Sequence, residues 1–213
     1  MKDQSMMVFG DSYSTFAGCV PSGYAVYYTG SRTMGPDIKG AHEAWWGMLA
    51  AETGARLVRN DSWSGSTIGF TGYNNADTSG TSSFIYRLEK LAKEGFFEEN
   101  KIENVFVFGG TNDSWSNAPL GEEMRDGWQR EDLFCVLPAI GYFFARLREI
   151  LPHAHIYGIC NCNIKEEIVT AIQNACAAIH GKAIVLKQIE KSEGHPTPLG
   201  MVQIKDEILA ALG

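Results

Sequence analysis

The feature that most constrains this chain is an alternation of strand-like and helix-like segments. Five short, mainly apolar runs recur along the 213 residues, at 6–9, 56–60, 104–108, 155–160 and 183–186. Their length and composition predict strands. Helical patterns fall between and after them, at 41–53, 82–93, 131–151, 164–180 and 198–212, with Pro152 stopping the longest. Strands joined through helices imply right-handed crossovers onto a parallel sheet covered on both faces. The expectation is therefore a three-layer α/β/α sandwich of about five parallel strands, formed as one domain over residues 1–213.

Such sheets bind ligands at the carboxyl ends of their strands. Gly10, Asp11 and Ser12 fall at one such end, residues 60–65 at a second and residues 109–113 at a third. His195 follows the last strand and precedes the last helix. The polar signals thus gather on one rim. Two segments outside the alternation, 18–40 and 69–80, each follow a rim motif and are expected to be surface loops bordering it.

Bulk properties exclude several function classes. Hydrophobic residues make up 45% of the chain and charged residues 20%, and the net charge is −7. No Lys/Arg cluster suited to phosphates is present, which argues against nucleic acid and anionic membranes as partners. No apolar run approaches the roughly 18 residues a membrane span needs. The N-terminus lacks a signal-peptide pattern. The expected location is cytoplasmic, or exported with the signal peptide absent from this chain. Nothing in the pattern speaks to oligomeric state. The five cysteines are odd in number and irregularly spaced, which reads as reduced thiols. Neither Cys160 with Cys162 nor His153 with His155 has further ligands at zinc spacing, so no metal is assigned.

The rim residues fit nucleophilic chemistry. A serine hydroxyl needs a base to take its proton and N–H donors to hold the oxyanion that forms. Ser12 is the candidate nucleophile and His195 the candidate base. Gly65, without a side chain, can bring a backbone N–H close. Asn112 can aim a side-chain amide. Each has a plainer structural role available: a cap for Asp11 and Ser12, a loop glycine, a turn leading into the last helix. Their joint occurrence favours the site.

Gly10-Asp11-Ser12, Gly65, Gly110-Thr111-Asn112-Asp113 and His195-Pro196, taken in order, resemble the SGNH hydrolases, also called the GDSL esterase/lipase family. The resemblance spans residues 10 to 195. It implies a flavodoxin-like sandwich that hydrolyses carboxylic esters without a metal or organic cofactor. By the same resemblance Ser12 is the nucleophile and His195 the general base. The Ser12 N–H, the Gly65 N–H and the Asn112 amide then form the oxyanion hole. One position departs from the family pattern. The Asp usually found three residues before the His is here Ser192. Three arrangements follow: Glu193 reaches His195 through an altered turn, Ser192 or a backbone carbonyl orients the ring, or the site is a dyad.

The substrate is less constrained. Trp63 and Trp115 lie next to rim motifs, with Tyr24, Tyr27, Tyr28, Tyr73, Asn74 and Asn75 in the bordering loops. Aromatic faces beside polar groups suit sugars. Asp11 and Asp113 are added as candidate substrate contacts. No apolar lid segment for long-chain lipids is present. The expected substrate is a small-molecule or carbohydrate ester, with acetyl as the leading acyl group. The alternative is a hydrolase-like module that has lost efficient catalysis and binds glycans. A flavin- or phosphate-binding protein ranks last, because Asp11 would repel phosphate at the first strand's end.

Overall fold

The computed structural model describes residues 1–213, and each predicted run forms a strand of one sheet. The strands are β1 (Ser5–Gly10), β2 (Arg56–Ser62), β3 (Asn104–Phe108), β4 (His155–Cys160) and β5 (Lys182–Val185). All neighbours pair in parallel, in the order β2-β1-β3-β4-β5. The helices are α1 (Trp45–Thr53), α2 (Phe84–Lys93), the single-turn α3 (Phe96–Glu99) and α4 (Thr111–Trp115), α5 (Val136–Ile150), α6 (Glu166–Ala178) and α7 (Pro198–Leu212).

Side-chain alternation along the central strands divides the core in two. Met7 and Phe9 of β1, with Val105 and Val107 of β3, pack against α2, α5 and α6. Met6 and Val8, with Phe106 and Phe108, pack against α1 and α7. Side chains of this size contribute roughly 1.5–3 kcal/mol each when fully buried. Both faces of the sheet are thus covered, giving the three-layer α/β/α sandwich. No helix is long and apolar enough to cross a membrane.

Two helices start later than their apolar pattern suggests. The segment 131–151 divides into a 3₁₀ turn at Asp132–Phe134 and α5, with Cys135 extended between them. Pro138 is the reason: a proline has no N–H to donate, so it is tolerated only in a helix's first turn. Likewise 41–53 divides into a 3₁₀ turn at Ala41–Glu43 and α1, with Ala44 extended.

A second, two-stranded sheet was not anticipated. β6 (Lys191–Ser192) and β7 (His195–Pro196) form an antiparallel hairpin in which Ser192 pairs with His195. Its two turn residues, Glu193 (φ 49) and Gly194 (φ 79), both have the positive φ of a type I′ turn. Thr197 then caps α7 by accepting the Gly200 N–H at 3.2 Å, with Pro198 in the first helical turn.

Candidate active site

Ser12 stands where β1 ends. Asp11 caps the short 3₁₀ turn Ser12–Ser14 by accepting the Tyr13 N–H at 3.0 Å. Gly10 permits the sharp exit: a Cβ there would come within 2.5 Å of both Ser14 Cβ and Ser62 Oγ. The turn brings Ser12 Oγ to 3.0 Å from His195 Nε2. His195 Nδ1 lies 3.2 Å from the Glu193 carbonyl oxygen. A carbonyl only accepts, so Nδ1 carries the proton and Nε2 is left with its lone pair toward the serine.

Of the three arrangements open for the histidine's partner, the geometry has the backbone carbonyl. The Glu193 carboxylate lies instead over Gly35, beside the Tyr27 hydroxyl and the Arg32 guanidinium. The Ser192 side chain is exposed. Burial holds the His195 pKa below its usual 6.5, and the nearby Arg32 and Lys191 cations act in the same direction. The Glu193 carbonyl bond and carboxylate oppose them.

The hairpin is held from the core side. Tyr13 Oη donates to the Gly194 carbonyl at 2.5 Å, and Tyr28 Oη to the Pro196 carbonyl at 2.8 Å. Lys191 Nζ donates to Asn161 Oδ1 at 2.8 Å.

The donors expected around Ser12 come from two neighbouring strand ends. Gly65 is exposed, with φ 80, and nothing lies within 4 Å of where its Cβ would be. Glycine is therefore favoured there by backbone conformation rather than by space. Neither the Ser12 N–H nor the Gly65 N–H donates to a backbone carbonyl. Asn112 Nδ2 donates to the Ser66 carbonyl at 2.9 Å, and its Oδ1 accepts from Tyr73 Oη at 2.9 Å. An amide nitrogen carries two hydrogens, so one donor of Asn112 stays available while the side chain is fixed by both of its ends.

Asp11 and Asp113 depart from their expected place as substrate contacts. They are 0% and 1% exposed, and both are turned into the fold. Asp113 accepts the Ile68 N–H with both oxygens at 3.0 Å and the Gly69 N–H at 3.3 Å, which braces the segment just beyond Gly65. Burial pushes the Asp113 carboxyl up to about 6 and that of Asp11 up to about 7. Asp11 Oδ2 has no hydrogen-bond partner. Charge in this layer is costly unless paired, so these side chains serve the backbone rather than a ligand.

Arg87 was not anticipated as part of the site. It is fully buried and donates to Asp61 Oδ2 at 3.1 Å, the Ser82 carbonyl at 2.9 Å, the Gly10 carbonyl at 3.3 Å and Ser66 Oγ at 3.2 Å. It also donates to the Asp61 carbonyl, and Arg59 adds a second cation on the Asp61 carboxylate at 2.9 Å. One guanidinium thus ties the end of β1 to the segment after β2. A signal existed, because Phe84, Leu88 and Leu91 make an apolar helical stripe with Arg87 set within it.

The aromatic residues flank Ser12. β1 lies between β2 and β3, so Trp63, after β2, and Trp115, in α4 after β3, stand on opposite sides of Ser12. Trp115 and Tyr73 are each 41% exposed. Trp63 packs on Tyr24 with centroids 4.3 Å apart, and with Tyr86, Lys90 and Thr81 they line an open cleft of about 320 Å³.

A strand-end serine with a histidine on its hydroxyl, set on an α/β sandwich, is an arrangement that can activate the hydroxyl for attack. The sequence profile of the family GDSL-like Lipase/Acylhydrolase matches residues 4–212. The chain belongs to that family and is an ester hydrolase by class. A protein from Bacteroides ovatus described as a GDSL-like lipase superposes with a TM-score of 0.91 at 35% identity, covering 100% of this chain and 99% of that one. A second, from Bacteroides uniformis, gives a TM-score of 0.90 at 37% identity, covering 99% of this chain and 95% of that one. An acetyl xylan esterase from Butyrivibrio proteoclasticus shares the fold, with a TM-score of 0.63 at 18% identity, covering 100% of this chain and 64% of that one. No curated protein sequence matches the chain.

Proposed function

We propose that the protein is a serine esterase acting on short-chain carboxylic esters, with acetyl groups on a carbohydrate or similar polar alcohol as its substrates. The observation that carries this reading is the 3.0 Å contact between Ser12 Oγ and His195 Nε2 at the end of β1.

In this reading His195 Nε2 takes the Ser12 proton as Oγ attacks the ester carbonyl carbon. The carbonyl oxygen becomes an oxyanion and accepts the Ser12 N–H, the Gly65 N–H and an Asn112 Nδ2–H. The intermediate collapses, His195 returns the proton to the departing alcohol, and Ser12 carries the acyl group. A water molecule, deprotonated by His195, then releases the acid and restores Ser12. Donors fixed before the charge develops require little rearrangement, and the bonds at both ends of the Asn112 amide supply that fixity.

The alcohol portion is argued from the flanks. Trp63 with Tyr24 on one side, and Trp115 with Tyr73 on the other, offer ring faces and hydroxyls of the kind sugars pack against. The test is a chain-length series of p-nitrophenyl esters together with acetylated methyl glycosides and oligosaccharides, run on parent and Ser12→Ala proteins. The expected result is highest kcat/KM on acetyl esters of sugars and loss of turnover in Ser12→Ala. Preference for octanoate or longer esters, or full turnover by Ser12→Ala, contradicts the reading.

A further inference from the structure

His195 sits on a small surface hairpin with no carboxylate on Nδ1, yet its ring is held on several sides. The Tyr27 ring lies parallel to it, with centroids 3.6 Å apart and 7° between the planes. The Arg32 guanidinium carbon is 3.9 Å from the centroid of that same Tyr27 ring. Two planar groups cannot share one ring face at such distances, so Tyr27 is sandwiched between Arg32 and His195. Arg32 is itself anchored, donating through Nη1 to the Tyr27 carbonyl at 3.0 Å and through Nε to the Met34 carbonyl at 3.1 Å.

The stack is also registered to the nucleophile. The Tyr27 N–H donates to Thr15 Oγ1 at 2.9 Å, and Thr15 Oγ1 donates to the Ser12 carbonyl at 3.0 Å. A closed circuit results: Ser12 to Thr15, Thr15 to Tyr27, Tyr27 onto His195, and His195 back to Ser12.

A triad carboxylate does three things: it selects the tautomer, fixes the ring and stabilises the imidazolium. Here the Glu193 carbonyl performs the first. We propose that Tyr27 and Arg32 are positioning residues that perform the second, Tyr27 fixing the imidazole plane and Arg32 holding Tyr27 from behind. This rests on the serine-esterase reading and adds to it two residues that act through His195. The third role is not replaced. The groups facing His195 are Arg32 and Tyr27 from the 18–40 loop, Glu193 and Lys191 from its own hairpin, Tyr13 from the nucleophile's turn and Trp115 from α4. A cation behind Tyr27 disfavours the imidazolium, so it keeps the base neutral at lower pH while making it a weaker base.

The test combines steady-state kinetics with pH profiles on an acetyl ester. Tyr27→Ala is expected to lower kcat about 10- to 100-fold with a smaller change in KM, the scale of a misplaced catalytic group. Tyr27→Phe, which keeps the ring, should recover most of that loss. Arg32→Gln is expected to move the acid limb of kcat/KM upward, because removing a nearby cation stabilises the protonated ring. Tyr27 is only partly buried, and matched thermal melts report on folding. Should Tyr27→Ala fail to fold, Tyr27→Leu, which keeps apolar bulk without a planar ring, takes its place with the same expected loss in kcat. A kcat within twofold of parent in Tyr27→Ala, a Tyr27→Phe as impaired as Tyr27→Ala, or an acid limb that stays or moves down in Arg32→Gln overturns the proposal. Undiminished turnover by Ser12→Ala overturns the esterase reading beneath it, whereas a dead Ser12→Ala beside an unaffected Tyr27→Ala overturns the positioning role alone.

Discussion

The two sides of the site are built differently. The Ser12 side, from Gly10 to Gly69, is organised from within by the core. Arg87 and Asp61 are buried together there, and Asp113 collects backbone N–H groups from Ile68 and Gly69. The His195 side is a two-residue hairpin turn carried above the sheet, held by tyrosine hydroxyls, a lysine and a stack of rings. The difference teaches which side tolerates change. Buried charge is held by the whole fold and fails with it, while surface contacts can be altered one at a time with the fold intact.

The sharpest way to break this contrast is Arg87→Leu. It leaves the Asp61 carboxylate buried with only Arg59 as partner, and the expected loss is about 3–5 kcal/mol in urea unfolding. A loss below about 1 kcal/mol, within the range of exposed ion pairs, removes the distinction between the two sides.

Asp113→Ala comes next, at about 1–3 kcal/mol, since it strands two buried N–H donors. Activity should fall with it, because the braced segment adjoins Gly65. This site also has a pH signature. Burial raises the Asp113 carboxyl to about 6, so the folded protein binds that proton more tightly than the unfolded chain. Its titration therefore favours the fold below the ordinary carboxylate range, and that contribution is lost as pH rises through about 6. Asp113→Asn should remove this part of the slope in stability measured between acid and neutral pH.

On the His195 side the effects are smaller. The acid limb of kcat/KM should lie below 6.5, because the proposed mechanism needs neutral His195 and burial lowers its pKa. A midpoint above 6.5 would point to a carboxylate partner. Smallest of all, Glu193→Gln should change kcat by no more than about twofold, since the carbonyl rather than the carboxylate meets Nδ1. A loss of two orders of magnitude would make the side chain the third member of a triad.

The same contrast explains what could be read from the chain. The sheet and its rim were legible because strand periodicity is local, and because Gly10-Asp11-Ser12, Asn112 and His195 each sit at a strand or helix boundary, with Gly65 in the turn after β2. The start of α5 was missed because its apolar pattern runs on through 131–135, whereas Pro138 sets the limit from inside. The hairpin was missed because Glu193 occupies a positive-φ position usually filled by Asn, Asp or Gly, so no common turn signal announces it. The Arg87–Asp61 pair joins residues 26 apart on different elements, and only the crossover brings them together. Tyr27 could be read as a loop aromatic near the rim, but its stacking on a histidine 168 positions later depends on tertiary closure.

The central claim is that Ser12 is an activated nucleophile with His195 as its base. The measurement that tests it most directly is intact mass after exposure to a small fluorophosphonate, on parent, Ser12→Ala and His195→Ala proteins of matched folding. The account predicts a single adduct on the parent, none on Ser12→Ala and slowed labelling of His195→Ala. An unlabelled, folded parent, or equal labelling of Ser12→Ala, contradicts it.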